Sequence, residues 1–178
     1  MQRKYDILSI EDAQHPNAHE RSVSMGPKIP VLISMHALSN TDPSGREAAD
    51  PIHMLVPGDL TIEGSIYTLR YQESQTDEAT GAVATQQIKL TLEPGRVVMT
   101  REGDFGTTMV FVRGQRFEGA YHTPYGDLEM AVYATRADCE LTPLSGSVHL
   151  KYTLDMQGAF AAQNTLELTY AARVQEPS

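Results

Sequence analysis

A single cysteine is all that the 178 residues contain, so no disulfide can close within the chain. The fold must stand on its core, as expected in a reducing compartment. Cys139 sits between Asp138 and Glu140, and neighbouring carboxylates disfavour the thiolate that a nucleophile needs. Long apolar runs are missing as well. The opening Met1-Gln2-Arg3-Lys4-Tyr5-Asp6 leads into neither a hydrophobic stretch nor a small-residue cleavage site, so no signal peptide and no membrane span is expected, and the cytoplasm is the expected location. Positive charge is scarce: 14 Lys and Arg stand against 23 Asp and Glu, a net −9. Affinity for a phosphate backbone comes from cations that displace counterions, so nucleic acid is not an expected partner. No Gly-rich phosphate loop precedes a helix and no Ser, His and Asp set can be assembled, so no catalytic residue and no cofactor is assigned and the chain is not expected to be an enzyme.

What is present is ordinary for a globular protein, with 40% apolar and 21% charged residues in a length that suits one domain. Residues 1–28 differ from the rest. They are polar, are interrupted at Pro16 and Pro27 with Pro30 close by, and carry one short apolar cluster, Ile7, Leu8 and Ile10. They read as a mobile N-terminal arm, followed by a domain over residues 29–174 and a tail over 175–178.

From Val31 onward the hydrophobic period is two, which sends alternate side chains to opposite faces of a pleated strand. Val31, Ile33, Met35 and Ala37 share one face. Met54 and Val56 lead to an expected bend at Pro57-Gly58, with Leu60 and Ile62 continuing beyond it. Tyr67, Leu69, Tyr71 and Glu73 form the next inward set, and Ile88, Leu90 and Leu92 run into a reversal at Pro94-Gly95. Val97, Met99 and Arg101 return, followed by Met109 with Phe111, then Phe117, Gly119 and Tyr121. Leu128, Met130, Val132 and Ala134 come next, and the last two strands put Val148, Leu150, Tyr152, Leu154 and Met156, then Leu166, Leu168 and Tyr170, on one face. Many short strands joined by hairpin-length turns predict an all-β fold, a single closed antiparallel barrel of about eight to ten strands, since closure removes exposed edges.

Short ordered matches point the same way. Tyr71-Gln72-Glu73-Ser74, Arg101-Glu102-Gly103, Met109-Val110-Phe111, Thr123-Pro124-Tyr125-Gly126 and Tyr152-Thr153-Leu154, with Asn164 before the last strand, resemble the YwiB-like family of small bacterial proteins of unknown function. The resemblance implies a calycin-like, lipocalin-related barrel in a bacterial cytosol and no established activity. Residues before Val31, the insertion from Asn40 to Asp50 and Pro57 depart from it.

A barrel of this size holds one small molecule if its lining leaves room. Tyr67, Tyr71, Phe111, Phe117, Tyr121, Tyr152 and Tyr170 fall on inward sets and, at about 150 to 250 Å² of surface per ring, tend to fill the space. Ala37, Gly119 and Ala134 leave gaps, and Met35, Met54, Met99, Met109, Met130 and Met156 make an adaptable lining. A filled core and an open lumen are thus both admissible. Glu73 and Arg101 are the charged residues that alternation places on apolar faces; burying either alone is costly, so they are expected to pair, or to meet a tyrosine or water at a rim. Tyr71, Glu73, Arg101, Tyr121 and Tyr125 are therefore the candidate ligand-binding residues, for a small amphipathic ligand whose head an anionic group would suit. Tyr125 is included because its Pro-Tyr-Gly turn could present a ring at the barrel mouth, although a plain tight turn explains the same residues. No metal site is expected: His15 and His19 have helical spacing but flank Pro16, while His36, His53 and His149 point outward on separate strands.

Overall fold

A computed structural model of the chain describes residues 26–46 and 51–174. Most of the proposed arm, including His15, His19 and the Ile7 cluster, lies outside the described residues, as does the tail.

Ten strands follow one another: β1 (Ile29–Asn40), β2 (Ile52–Glu63), β3 (Ile66–Thr76), β4 (Val83–Glu93), β5 (Arg96–Glu102), β6 (Thr107–Phe111), β7 (Arg116–Thr123), β8 (Gly126–Leu141), β9 (Ser145–Met156) and β10 (Ala159–Ala172). Each pairs antiparallel with its sequence neighbour, and β1 closes on β10 from Val31↔Ala172 to Asn40↔Gln163. The expected all-β closed barrel is what forms. One end, called the foot, carries the β2–β3, β4–β5, β6–β7 and β8–β9 connections. The other, the mouth, carries the remaining five.

The foot is filled. Val31, Ile33, Leu60, Leu69, Leu90, Leu92, Val97, Phe111, Val148 and Leu168 are wholly buried, as the period-two pattern requires of inward positions. Tyr170 closes this end: its ring packs over Gly146, where a Cβ would collide with it, and its hydroxyl donates to the Thr142 carbonyl at 2.7 Å. A glycine is needed there for close approach rather than for a special backbone angle.

Two departures from simple closure position the site. The expected bend at Pro57-Gly58 is not a break, because β2 runs through it as one strand. Its pairing with β3, however, begins only at Gly58↔Tyr71, so toward the mouth residues 52–57 pair with β1 alone and residues 72–76 with β4 alone. A Cβ on Gly58 would lie 2.7 Å from the Arg70 carbonyl and from Ile33 Cδ1, which is why the parting point is a glycine. The second departure is at β6 and β7, whose ladder holds the single pair Thr107↔Tyr121.

Candidate functional site

Arg101 and Glu73 stand on β5 and β3 with β4 between them. Ladder register sets a row across the wall, Tyr71↔Ile88↔Arg101↔Thr107↔Tyr121, one strand apart at each step. Glu73 is two residues beyond Tyr71 on the same face, so the guanidinium reaches diagonally toward it. Nη1 of Arg101 lies 3.6 Å from Oε2 of Glu73, and the side chains are 32% and 18% exposed. That is an ion pair at a wet rim, beyond hydrogen-bonding distance. The Tyr71 hydroxyl neighbours Glu73, and its pKa is pushed far up, first by burial and then by the Glu73 charge, with Arg101 opposing. Burial raises Tyr152 too, again against Arg101. Both phenols are thus held neutral beside the pair, as hydrogen-bond donors.

The methionines complete the mouth. Met35 opposes Met54, Met99 opposes Met109, and Met130 opposes Met156, three cross-strand pairs around the circumference. One cavity of about 270 Å³ is lined by Met35, Met54, Met99, Tyr71, Glu73 and Asn164 among others, and a neighbouring one of about 360 Å³ by Met109, Met130, Met156, Thr107, Tyr121 and Leu154. Arg101 and Tyr152 belong to both. Tyr152 forms the floor, with its ring centroid 4.7 Å from that of Phe111 below. The alternatives of filled core and open lumen are therefore divided along the axis: the foot is solid and the mouth is open. A groove of about 540 Å³ also follows the β6–β7 seam inward to Met130 and Val132.

Of the five candidate residues, Tyr71, Glu73 and Arg101 come together, and Tyr121 joins them through the Arg101 cavity. Tyr125 does not. It is 97% exposed at the tip of the β7–β8 turn, where Thr123 Oγ1 accepts from the Tyr125 amide and donates to the Gly126 carbonyl; the Pro-Tyr-Gly sequence makes a tight turn and the ring projects away from the cavities. Thr107 and Asn164 are among the lining residues that were missed. Thr107, only 5% exposed, donates to the Ala120 carbonyl and sits 3.7 Å from the Met130 sulfur, but a five-residue strand gives too little alternation to assign its face. Asn164 lies within β10 rather than before it, and its position two residues ahead of Leu166 was the available signal.

Elsewhere, His36 and His53 stack outside the barrel with centroids 4.3 Å apart. Among the described residues no three His, Cys, Asp or Glu side chains are grouped to hold a metal ion. Among the same residues no helix is long and apolar enough to cross a membrane. Cys139 is half-buried, and burial first, then Asp138, pushes its thiol up to about 11.

Residues 36–168 match a sequence family described as a domain of unknown function, DUF1934. Among curated proteins none matches the chain in sequence. The crystal structure of the ywiB protein from Bacillus subtilis superposes with a TM-score of 0.67 at 14% identity, covering 84% of this chain and 96% of that one. At that identity the likeness is one of fold.

Proposed function

The chain belongs to the DUF1934 family of domains of unknown function, and within its barrel we propose that the open mouth binds a small, partly apolar molecule without transforming it. The observation that carries this reading is the gathering of six of the eight methionines, as three facing pairs, around the cavities that Arg101 and Tyr152 share. Methionine is unbranched and polarizable, so it lines a space that must adapt to a guest better than one that must specify a rigid core. A filled foot below gives the space a floor. The neutral phenols of Tyr71 and Tyr152 supply hydrogen bonds rather than a general base, which supports binding over catalysis.

The energetics suit a weak binder. Each methylene buried contributes about 0.8 kcal/mol, and an alkyl tail of about six to eight must offset an association cost of at least about 4 kcal/mol. The tail alone then leaves roughly 1 to 2 kcal/mol, and hydrogen bonds at the polar end, at about 1 kcal/mol each, bring the affinity to the order of millimolar.

The test is a titration of 1-octanol into protein labelled at the methionine methyl carbons. The six mouth methyls should shift in a saturable way. Unmoved mouth methyls at solubility-limit concentrations would remove the binding reading and favour a barrel that serves as a scaffold for another protein, docking through outer residues such as Leu55 and Leu144, which are 66% and 74% exposed.

A further inference from the structure

We propose that the head group selected at this mouth is a neutral primary amide, which places its carbonyl on Arg101 and its N–H on Glu73. The proposal rests on the mouth-binding reading above and adds the chemistry of the polar end of the ligand.

The geometry of the pair carries it. Nη1 of Arg101 and Oε2 of Glu73 stand 3.6 Å apart, close enough to compensate each other's charge and too far to share a hydrogen. Among the described residues the guanidinium makes only this ion pair and no hydrogen bond, although it carries five N–H donors. Glu73 has the Tyr71 hydroxyl beside it, and a carboxylate has about four lone-pair sites, so it retains acceptor capacity. The pair therefore presents a donor and an acceptor side by side, both facing the 270 Å³ cavity.

A ligand that meets such an edge needs an acceptor beside a donor. In a primary amide the oxygen and nitrogen are about 2.3 Å apart, from the C=O and C–N bond lengths, and two roughly parallel hydrogen bonds bridge that span to the observed one. A simple carboxylate gains Arg101 but is set against the Glu73 charge. A simple ammonium gains Glu73 and is set against Arg101. A head group with a separate acceptor and donor leaves neither member of the pair desolvated and uncompensated, whereas a hydroxyl must serve both across 3.6 Å from one oxygen, and sites built on buried polar groups reject analogues that leave those groups unmatched.

Four probes with one tail length test this: octanamide, octanoate, octylamine and 1-octanol, each titrated against the labelled methionine methyls of the full chain. Octanamide should bind about tenfold or more tighter than each of the other three, in line with the discrimination that hydrogen-bonding sites achieve. Glu73→Gln should strengthen octanoate relative to octanamide, and Arg101→Met should erase the preference for the amide while 1-octanol still binds. Octanoate equal to or tighter than octanamide in the unaltered protein would overturn the proposal, as would an amide preference that survives Arg101→Met. If none of the four binds, the mouth-binding reading itself fails; if 1-octanol binds and octanamide binds no tighter, only the head-group assignment fails.

Discussion

Arg101 Nη1 and Glu73 Oε2 lie 3.6 Å apart across the intervening strand β4, a separation at which the two charges stabilise each other without a shared hydrogen. Because one partner left alone at this half-buried rim is worse placed than the two together, the effects of Glu73→Gln and Arg101→Met on stability should be non-additive by at least about 0.5 kcal/mol. Denaturant melts of the two single variants and the double variant measure the coupling. Additive losses would show that each side chain is satisfied by solvent independently.

At the foot, the Tyr170 ring occupies the space that a side chain on Gly146 would need. Gly146→Ala should cost about 1 to 3 kcal/mol, as overpacking does, and lower the melting temperature by roughly 2 to 12 °C for a domain of this size. An unchanged melt would mean that the ring is free to swing aside.

Burial lifts the Tyr170 phenol from 10.0 to about 12, and its hydroxyl, which donates to the Thr142 carbonyl, is held in the neutral form. The folded pKa of this acid lies above the unfolded one, so the neutral form is favoured. Its contribution to stability is complete below pH 10 and is lost as pH rises from there toward 12. Chemical denaturation at pH 9 and pH 11 should show a fall that Tyr170→Phe makes smaller; an equal fall in both proteins would place the alkaline sensitivity elsewhere.

Cys139 should be sluggish. With its thiol held at about 11 by burial and by Asp138, against about 8.5 for a free cysteine, reaction with Ellman's reagent at pH 8 should run about tenfold or more slower than for free cysteine, since the loss of thiolate outweighs the greater nucleophilicity of a high-pKa thiolate. Labelling that matches free cysteine would contradict the assigned environment.

Tyr125 points into solvent from its turn, so Tyr125→Ala should leave octanol binding unchanged and stability within about 0.5 kcal/mol. Loss of binding would return this ring to the site.

The sequence made the barrel legible because both of its determinants are local. Alternation names the inward face of each strand, and short turns fix who neighbours whom. What stayed hidden depends on relations across strands. Met35, Met99 and Met130 were readable as inward, but that each faces another methionine follows from register, which alternation does not supply. Ala131 sits on an outward position yet is only 5% exposed, because Arg116 reaches over its neighbours to Asp155 and Glu118, its cross-strand partners. Thr61, also outward, is covered by Arg70, which donates to its hydroxyl at 3.2 Å. The pairing of Glu73 with Arg101 was legible for an energetic reason: two opposite charges on otherwise apolar inward faces have few other partners that avoid a desolvation penalty. The parting of β2 from β3 was half legible, since Pro57-Gly58 marked the place but suggested a bend in one strand rather than a separation of two.

The barrel is divided into a solid foot and an open, methionine-lined mouth, and xenon distinguishes the two because the gas enters apolar space without needing a polar anchor. Crystals pressurised with xenon should show the atom beside the Met99, Met109 and Met130 side chains above the Tyr152 ring, and nothing among Leu60, Leu90 and Leu168. Xenon in the foot, or none in the mouth at full pressure, would contradict it.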